Sequence, residues 1–222
     1  MLTFHRRIGD RHLLRFSFSD RSDGDTRKAS FQFQDGKAPI FPHQVHGSDV
    51  SIVTEWGAHN KRECDALITK AAAVPIGIRV ADCVPIAMYG SSPDGPVLAV
   101  VHAGWRGIRA GVVAEVAERL GQFGCGGLRA IVGPHISVEE YEFGSKDLSR
   151  VVGALGEKVA GRTKDGKPAL NLRAAVEVTL ERNSVSLDHL LDRCTAQDLR
   201  YWSHRSRGDE ERFALVGEIR LL

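Results

Sequence analysis

Apolar and polar positions along the chain change their period near residue 103. Before it, apolar residues come in short runs bounded by turn residues, at 49–55 (DVSIVTE), 65–69 (DALIT), 74–80 (VPIGIRV), 84–89 (VPIAMY) and 96–103 (PVLAVVHA). β-Branched enrichment predicts strands for these runs, and the near-absence of alternation in the last three predicts burial on both faces. After residue 103, Val113, Val116, Ala117 and Leu120 fall at i, i+3, i+4 and i+7, one stripe of an amphipathic helix that begins near residue 109 and ends near Gly121. A strand returns at 128–134. Residues 145–160 read as a helix capped by Ser145, and Asn171 caps a further helix in which Val176, Thr179, Leu180 and Asn183 share a face. Residues 200–206 and 212–222 read as closing strands, and 17–30 as a polar loop between short strands. This order of elements predicts a mixed α/β fold, a layered sandwich with a large mixed central sheet and helices outside it. No repeat, low-complexity stretch or linker divides the chain, so residues 1–222 are expected to form one domain.

Composition narrows the classes of function. With 222 residues, 42% apolar and 26% charged, the chain can bury a full core. Its 30 basic and 28 acidic residues leave a net charge of +2, and no run of Lys or Arg marks a nucleic-acid face. No apolar span reaches membrane length and the first residues show no export signal, so neither nucleic acid nor membrane is an expected partner and the cytoplasm is the expected compartment. The apolar content shows no excess that would ask for a subunit partner, so a monomer is expected. The four cysteines form no CxxC pair and read as reduced thiols. Cys64, Cys125 and Cys194 take the structural reading.

Cys83 differs, because it stands beside Asp82 at the entrance to one apolar run, while His102 ends another and precedes Gly104-Trp105-Arg106-Gly107. His46 lies before Gly47 in a third turn. Strand ends and the loops after them are where α/β folds place chemistry. A cysteine and two histidines can hold Zn²⁺ while a fourth position stays open for water or substrate, although copper suits the same ligands. The three are too far apart in the chain for any local zinc-finger spacing. Taken from the residues alone, hydrogen-bonded structural histidines remain the competing reading.

The segments QVHG (44–47), ADCVPI (81–86), HAGWRG (102–107), GPHI (133–136), YEFG (141–144) and YWSHRSRGDEERFALV (201–216) resemble, in this order, the YfiH/laccase-domain family. That family also carries the labels multicopper polyphenol oxidase, purine nucleoside phosphorylase and peptidoglycan editing factor. The likeness runs from about residue 40 to the C-terminus. It implies a fold similar to deamidating-toxin cysteine hydrolases and a zinc ion on His46, Cys83 and His102. The chain departs from the family pattern in its N-terminal loop, in GPHISVEEYEFG, where His135 and Glu139–Glu140 replace small or sulfur residues, and in GDEER near Arg212.

Around the trio, Asp82 could orient a ligand or bind substrate, or simply stabilise a turn. Arg106 could hold an anion at a helix start or stack on Trp105. Arg205 and Arg207, read as alternate residues of one strand, could form a bidentate anion site or a solvated edge. His135 joins them as a substrate-binding candidate, and His43 reads as a surface or supporting residue. The resemblance implies a purine nucleoside enzyme acting on a small-molecule nucleoside and phosphate. Its reactions would be phosphorolysis of adenosine, inosine, guanosine or methylthioadenosine, and deamination of adenosine. Cys83, His102, His46, Asp82 and Arg106 would carry the chemistry, with Arg106, Arg205, Arg207 and His135 toward phosphate and substrate. Three alternatives stand beside it. The first is a copper-dependent polyphenol oxidase, which nine scattered histidines with no HxH pair do not suit. The second is a hydrolase with Cys83 as nucleophile, His102 as base and His46 as a third, orienting group. The third is a peptidoglycan-precursor editing role.

Overall fold

The computed structural model describes residues 1–31, 33, 36–57 and 62–222. Six strands pair in the order β11 (Ser186–Leu190), β8 (Gly126–Val132), β6 (Val84–Ser92), β7 (Gly95–Ala103), β4 (Ala66–Thr69) and β3 (Val50–Val53). The two outer pairs are parallel and the inner ones antiparallel, so the sheet is mixed. Four more strands form a second, antiparallel sheet in the order β1 (Leu2–Ile8), β2 (His12–Phe18), β12 (Phe213–Leu221) and β5 (Ile76–Val80). The runs 74–80 and 212–222 thus leave the central sheet and join the N-terminal hairpin opposite it.

Strand period explains the layering. Ile86 and Met88 point to the helical side of the large sheet, with Val97, Ala99 and Val101 from the neighbouring strand. Ala87, Tyr89, Leu98 and Val100 point the other way, into the core shared with the second sheet. Both faces are covered, which is why these strands read as unbroken apolar runs. On the outer face pack α1 (Trp105–Ala110), α2 (Val112–Gln122), α3 (Ser145–Leu155) and α4 (Leu172–Arg182). A short ribbon of β9 (Ala160–Arg162) and β10 (Pro168–Leu170) lies beside them.

Several boundaries move for identifiable reasons. The helix expected near residue 109 starts at Trp105 and breaks at Gly111, whose φ of +94° is open to glycine. The helix expected to reach 160 stops at Leu155 because Gly156 also takes a positive φ, of +94°. Gly144, not Ser145, stands at its cap position and no side chain caps it, whereas Asn171 does accept from Ala174 N at 3.0 Å. Residues 204–207, expected as strand, form a one-turn helix, α5 (His204–Arg207), with Ser203 Oγ accepting from Ser206 N and Gly208 closing it at φ +69°. No helix among the described residues is long and apolar enough to cross a membrane.

Candidate active site

The strand register brings the three ligand candidates together. Strands β6 and β7 are antiparallel neighbours with Pro85 opposite His102, so Cys83, just before β6, lies beside the end of β7. On the other side of β7, Ala66 pairs with Val101, which places Asp65, just before β4, next to His102. Asp65 is fully buried, and its carboxylate accepts from the backbone N–H of Val45 (3.1 Å), His46 (3.0 Å) and Gly47 (2.7 Å). It also faces His102 Nδ1 at 2.6 Å. An ionised carboxylate only accepts, so Nδ1–H donates and Nε2 is left for another partner.

His46 adopts φ +60°, a conformation non-glycine residues rarely take, and the Asp65 bonds on either side of it hold it there. Its Nε2 lies 3.9 Å from Cys83 Sγ, and the ligand atoms of His46, Cys83 and His102 lie within 4.8 Å of one another. Two ligands of one tetrahedral zinc stand roughly 3.5 Å apart, so the trio needs little movement to share an ion. Two imidazole nitrogens and a sulfur fit a borderline cation, and the carboxylate on His102 is the usual outer support of such a ligand. Gly104 leaves the necessary space: a Cβ there would meet His46 Cδ2 at 2.9 Å and Cys83 Sγ at 3.1 Å.

Electrostatics couple Cys83 and His102. Burial alone pushes the Cys83 thiol up, but the His102 and His46 imidazoles outweigh it and bring its pKa down to about 6. Burial likewise opposes charge on His102, yet the Cys83 thiolate and Asp65 raise it to about 9. A thiolate at Cys83 and an imidazolium at His102 thus favour each other.

A cavity of about 570 Å³ opens over the trio. One wall is aromatic, with Trp105 and Tyr141 each packed on Phe143 (ring centroids 5.2 and 5.4 Å). Burial, and next the charge of Cys83, push the Tyr141 hydroxyl up, so it stays protonated. Arg106 lies over the Trp105 ring and Arg205 over the Tyr141 ring, each at 4.8 Å, and Arg205 Nη1 donates to Glu142 O at 2.8 Å. Asp82 sits in the wall at φ +85° with both carboxylate oxygens engaged: Thr195 Oγ1 and Arg205 N each donate to it at 2.6 Å. Its bonds tie α5 to the loop of Cys83.

His46, Cys83, His102, Asp82, Arg106 and Arg205 therefore line one cavity, while Arg207 and His135 lie outside it. Arg207 faces away from Arg205 because two residues of a helix turn about 200°. It donates to Asp209 and to the carbonyls of Thr195, Ala196 and Tyr201, a loop clamp in place of the expected anion site. His135 is buried against Gly133 O and borders a separate cavity with Arg173 and Glu177. Asp65 and the cavity residues Arg27 and Arg79 were not expected in the site, while Gln44, His204 and Arg212 stand in the family-like segments without a site role expected of them. Asp65 had one signal, an acid directly before a buried strand, which also suits an ordinary turn.

The fold and site define a class: a two-sheet α/β sandwich in which a loop histidine, His46, meets Cys83 and His102 from adjoining strand ends, a group able to hold a metal ion, beneath an arginine-lined cavity. Residues 25–218 match the profile described as multi-copper polyphenol oxidoreductase laccase, and the chain belongs to this family. A purine nucleoside phosphorylase of Streptomyces coelicolor is 30% identical over 169 residues, which cover 75% of this chain and 69% of that one. An adenosine deaminase from an unknown prokaryotic organism is 29% identical over 166 residues, covering 69% and 63%. The YfiH protein of Bacillus licheniformis superposes with a TM-score of 0.77 over 96% of this chain and 98% of its own; at 18% identity this likeness concerns the fold.

Proposed function

We propose that this chain is a zinc-dependent purine nucleoside phosphorylase that also deaminates adenosine. The observation that carries the reading is the convergence of His46, Cys83 and His102 on one point beneath a cavity whose arginines Arg106 and Arg205 have no carboxylate partner among the described residues. The names of the relatives supply the substrate class.

His46 Nε2, His102 Nε2 and Cys83 Sγ would hold the ion. When bound, it would supply Lewis-acid chemistry and lower the pKa of water at its open position to about 7. The protein's own residues supply the rest. Asp65 fixes the tautomer of His102 and the backbone of His46. Trp105 and Tyr141 give the purine or ribose a flat apolar wall. Arg106 and Arg205 hold phosphate for attack on the ribose carbon as the glycosidic bond lengthens and positive charge gathers on the sugar. Asp82 keeps Arg205 in place through its backbone N–H. The single three-ligand group among the described residues supports one ion rather than several copper centres.

Incubating the protein with adenosine, with and without phosphate, and separating the products tests the reading. Adenine with ribose 1-phosphate is expected only with phosphate, and inosine in either case. Failure to form any of these products would refute it.

One observation favours a second reading, a cysteine hydrolase. Cys83, His102 and Asp65 line up as nucleophile, base and orienting acid, with Asp65 taking the orienting role first given to His46. Metal content separates the two readings, because a thiolate bound to zinc is not a free nucleophile.

A further inference from the structure

The cavity holds more positive charge than a neutral nucleoside and one phosphate require. Besides Arg106 and Arg205 on the aromatic wall, Arg27, Arg79 and Arg212 line it. These three are tied together through Asp25 and Thr26: Arg27 and the Arg212 backbone N–H both donate to Asp25, Thr26 N donates to Arg212 O, and Arg79 Nε donates to Thr26 O at 3.0 Å. Within this set, Asp25 neutralises Arg27, and Arg212 Nη1 is spent on the carbonyls of residues 209, 210 and 211.

Arg79 is different. Its guanidinium lies on the Phe41 ring at 3.9 Å, and the Gln44 side chain clamps its backbone, accepting from Arg79 N and donating to Arg79 O at 2.8 Å each. Among the described residues no carboxylate pairs with it, and neither Nη atom has a hydrogen-bond partner. Burial lowers its pKa, and Arg27 adds to that while Asp25 opposes it, as for a cation without a counterion of its own. The side chain is thus a half-buried, stacked fork with its outer N–H groups unused, on a wall built separately from the one that carries Arg106 and Arg205. A planar fork held in place by stacking loses little freedom on binding and matches two oxygens of a phosphoryl group.

We propose that Arg79 anchors a second anion subsite, and that the cavity accepts a purine nucleoside bearing a phosphoryl group of its own, seated on Arg79. This rests on the purine reading of the site. Binding of adenosine, adenosine 5′-monophosphate and inorganic phosphate to the zinc-loaded protein tests it by calorimetry. The monophosphate is expected to bind about 10- to 100-fold more tightly than adenosine, the range of charged hydrogen bonds. In Arg79→Met the ratio of the two Kd values falls toward 1. Arg79→Lys, which keeps the charge and loses the fork, retains part of it and reads the same ratio if the Met variant does not fold. Adenosine binding with a ratio near 1 in the wild type overturns this subsite alone, as does a ratio unchanged in both variants. Inorganic phosphate binding that depends on Arg79, with no gain for the monophosphate, assigns the fork to the co-substrate and also overturns it. No binding of either nucleoside form removes the purine reading and the subsite together.

Discussion

Asp65 Oδ1 stands 2.6 Å from His102 Nδ1, while the same carboxylate accepts the backbone N–H of His46. One buried acid therefore aims both imidazoles, one through its side chain and the other through its main chain. In Asp65→Asn the charge is lost and the amide offers fewer acceptors. Zinc affinity is expected to fall about 10- to 100-fold, as for other outer supports of metal ligands. Competition with a chromogenic chelator measures it, and an unchanged affinity contradicts the role.

The thiolate–imidazolium pair gives a pH signature in metal-free protein. The folded-state pKa of Cys83 is depressed to about 6, so the thiolate is present above that pH and is lost as pH falls through it. Alkylation of Cys83, followed by mass spectrometry, should rise with an inflection near pH 6, and His102→Ala should move the inflection upward. Cys64 serves as an internal control, since burial and then Asp65 push its thiol up to about 11. Added zinc should protect Cys83. An inflection at the ordinary thiol value of about 8.5 would contradict the pairing.

The three arginines first considered for phosphate should separate. Arg106→Ala and Arg205→Ala are expected to raise the KM for phosphate about 10- to 100-fold, the range for losing a charged hydrogen bond. Arg207 holds three carbonyls and Asp209, so Arg207→Ala should lower stability by about 1–3 kcal/mol with little direct effect on that KM. Steady-state kinetics beside urea unfolding distinguishes the cases. A phosphate KM that rises most in the Arg207 variant would reverse the assignment.

Gly104 offers a test by steric means. A methyl group there would meet His46 Cδ2 at 2.9 Å, closer than real contacts come, and Cys83 Sγ at 3.1 Å, tighter than most. Gly104→Ala should bind zinc at least about 10-fold more weakly, since each 1.4 kcal/mol of displaced ligand geometry is tenfold. Its circular dichroism should remain that of the parent. Wild-type affinity in this variant would mean that the trio does not close on one ion.

Much of this was legible in the chain because the site sits where periodicity is strongest. Runs 84–89 and 96–103 announce buried strands, and Cys83 and His102 stand at their ends, so register alone makes them neighbours. The division into two sheets was not legible: strands covered on both faces look alike, and nothing in 74–80 says which sheet it joins. The turn at 204–207 was misread through the alternation of Arg205 and Arg207, although Ser203 and Gly208 frame it as a capped helical turn. Asp65 and Arg79 escaped because their roles arise from partners distant in sequence, His102 and Gln44 among them, that only the fold brings close.

The most direct measurement is the metal content of purified protein, taken with phosphate-dependent adenosine turnover before chelation, after it, and on restoring zinc. About one zinc per chain is expected, with loss of turnover on chelation, its return with zinc, and loss of bound zinc in Cys83→Ala. Full turnover by the metal-free protein would contradict it.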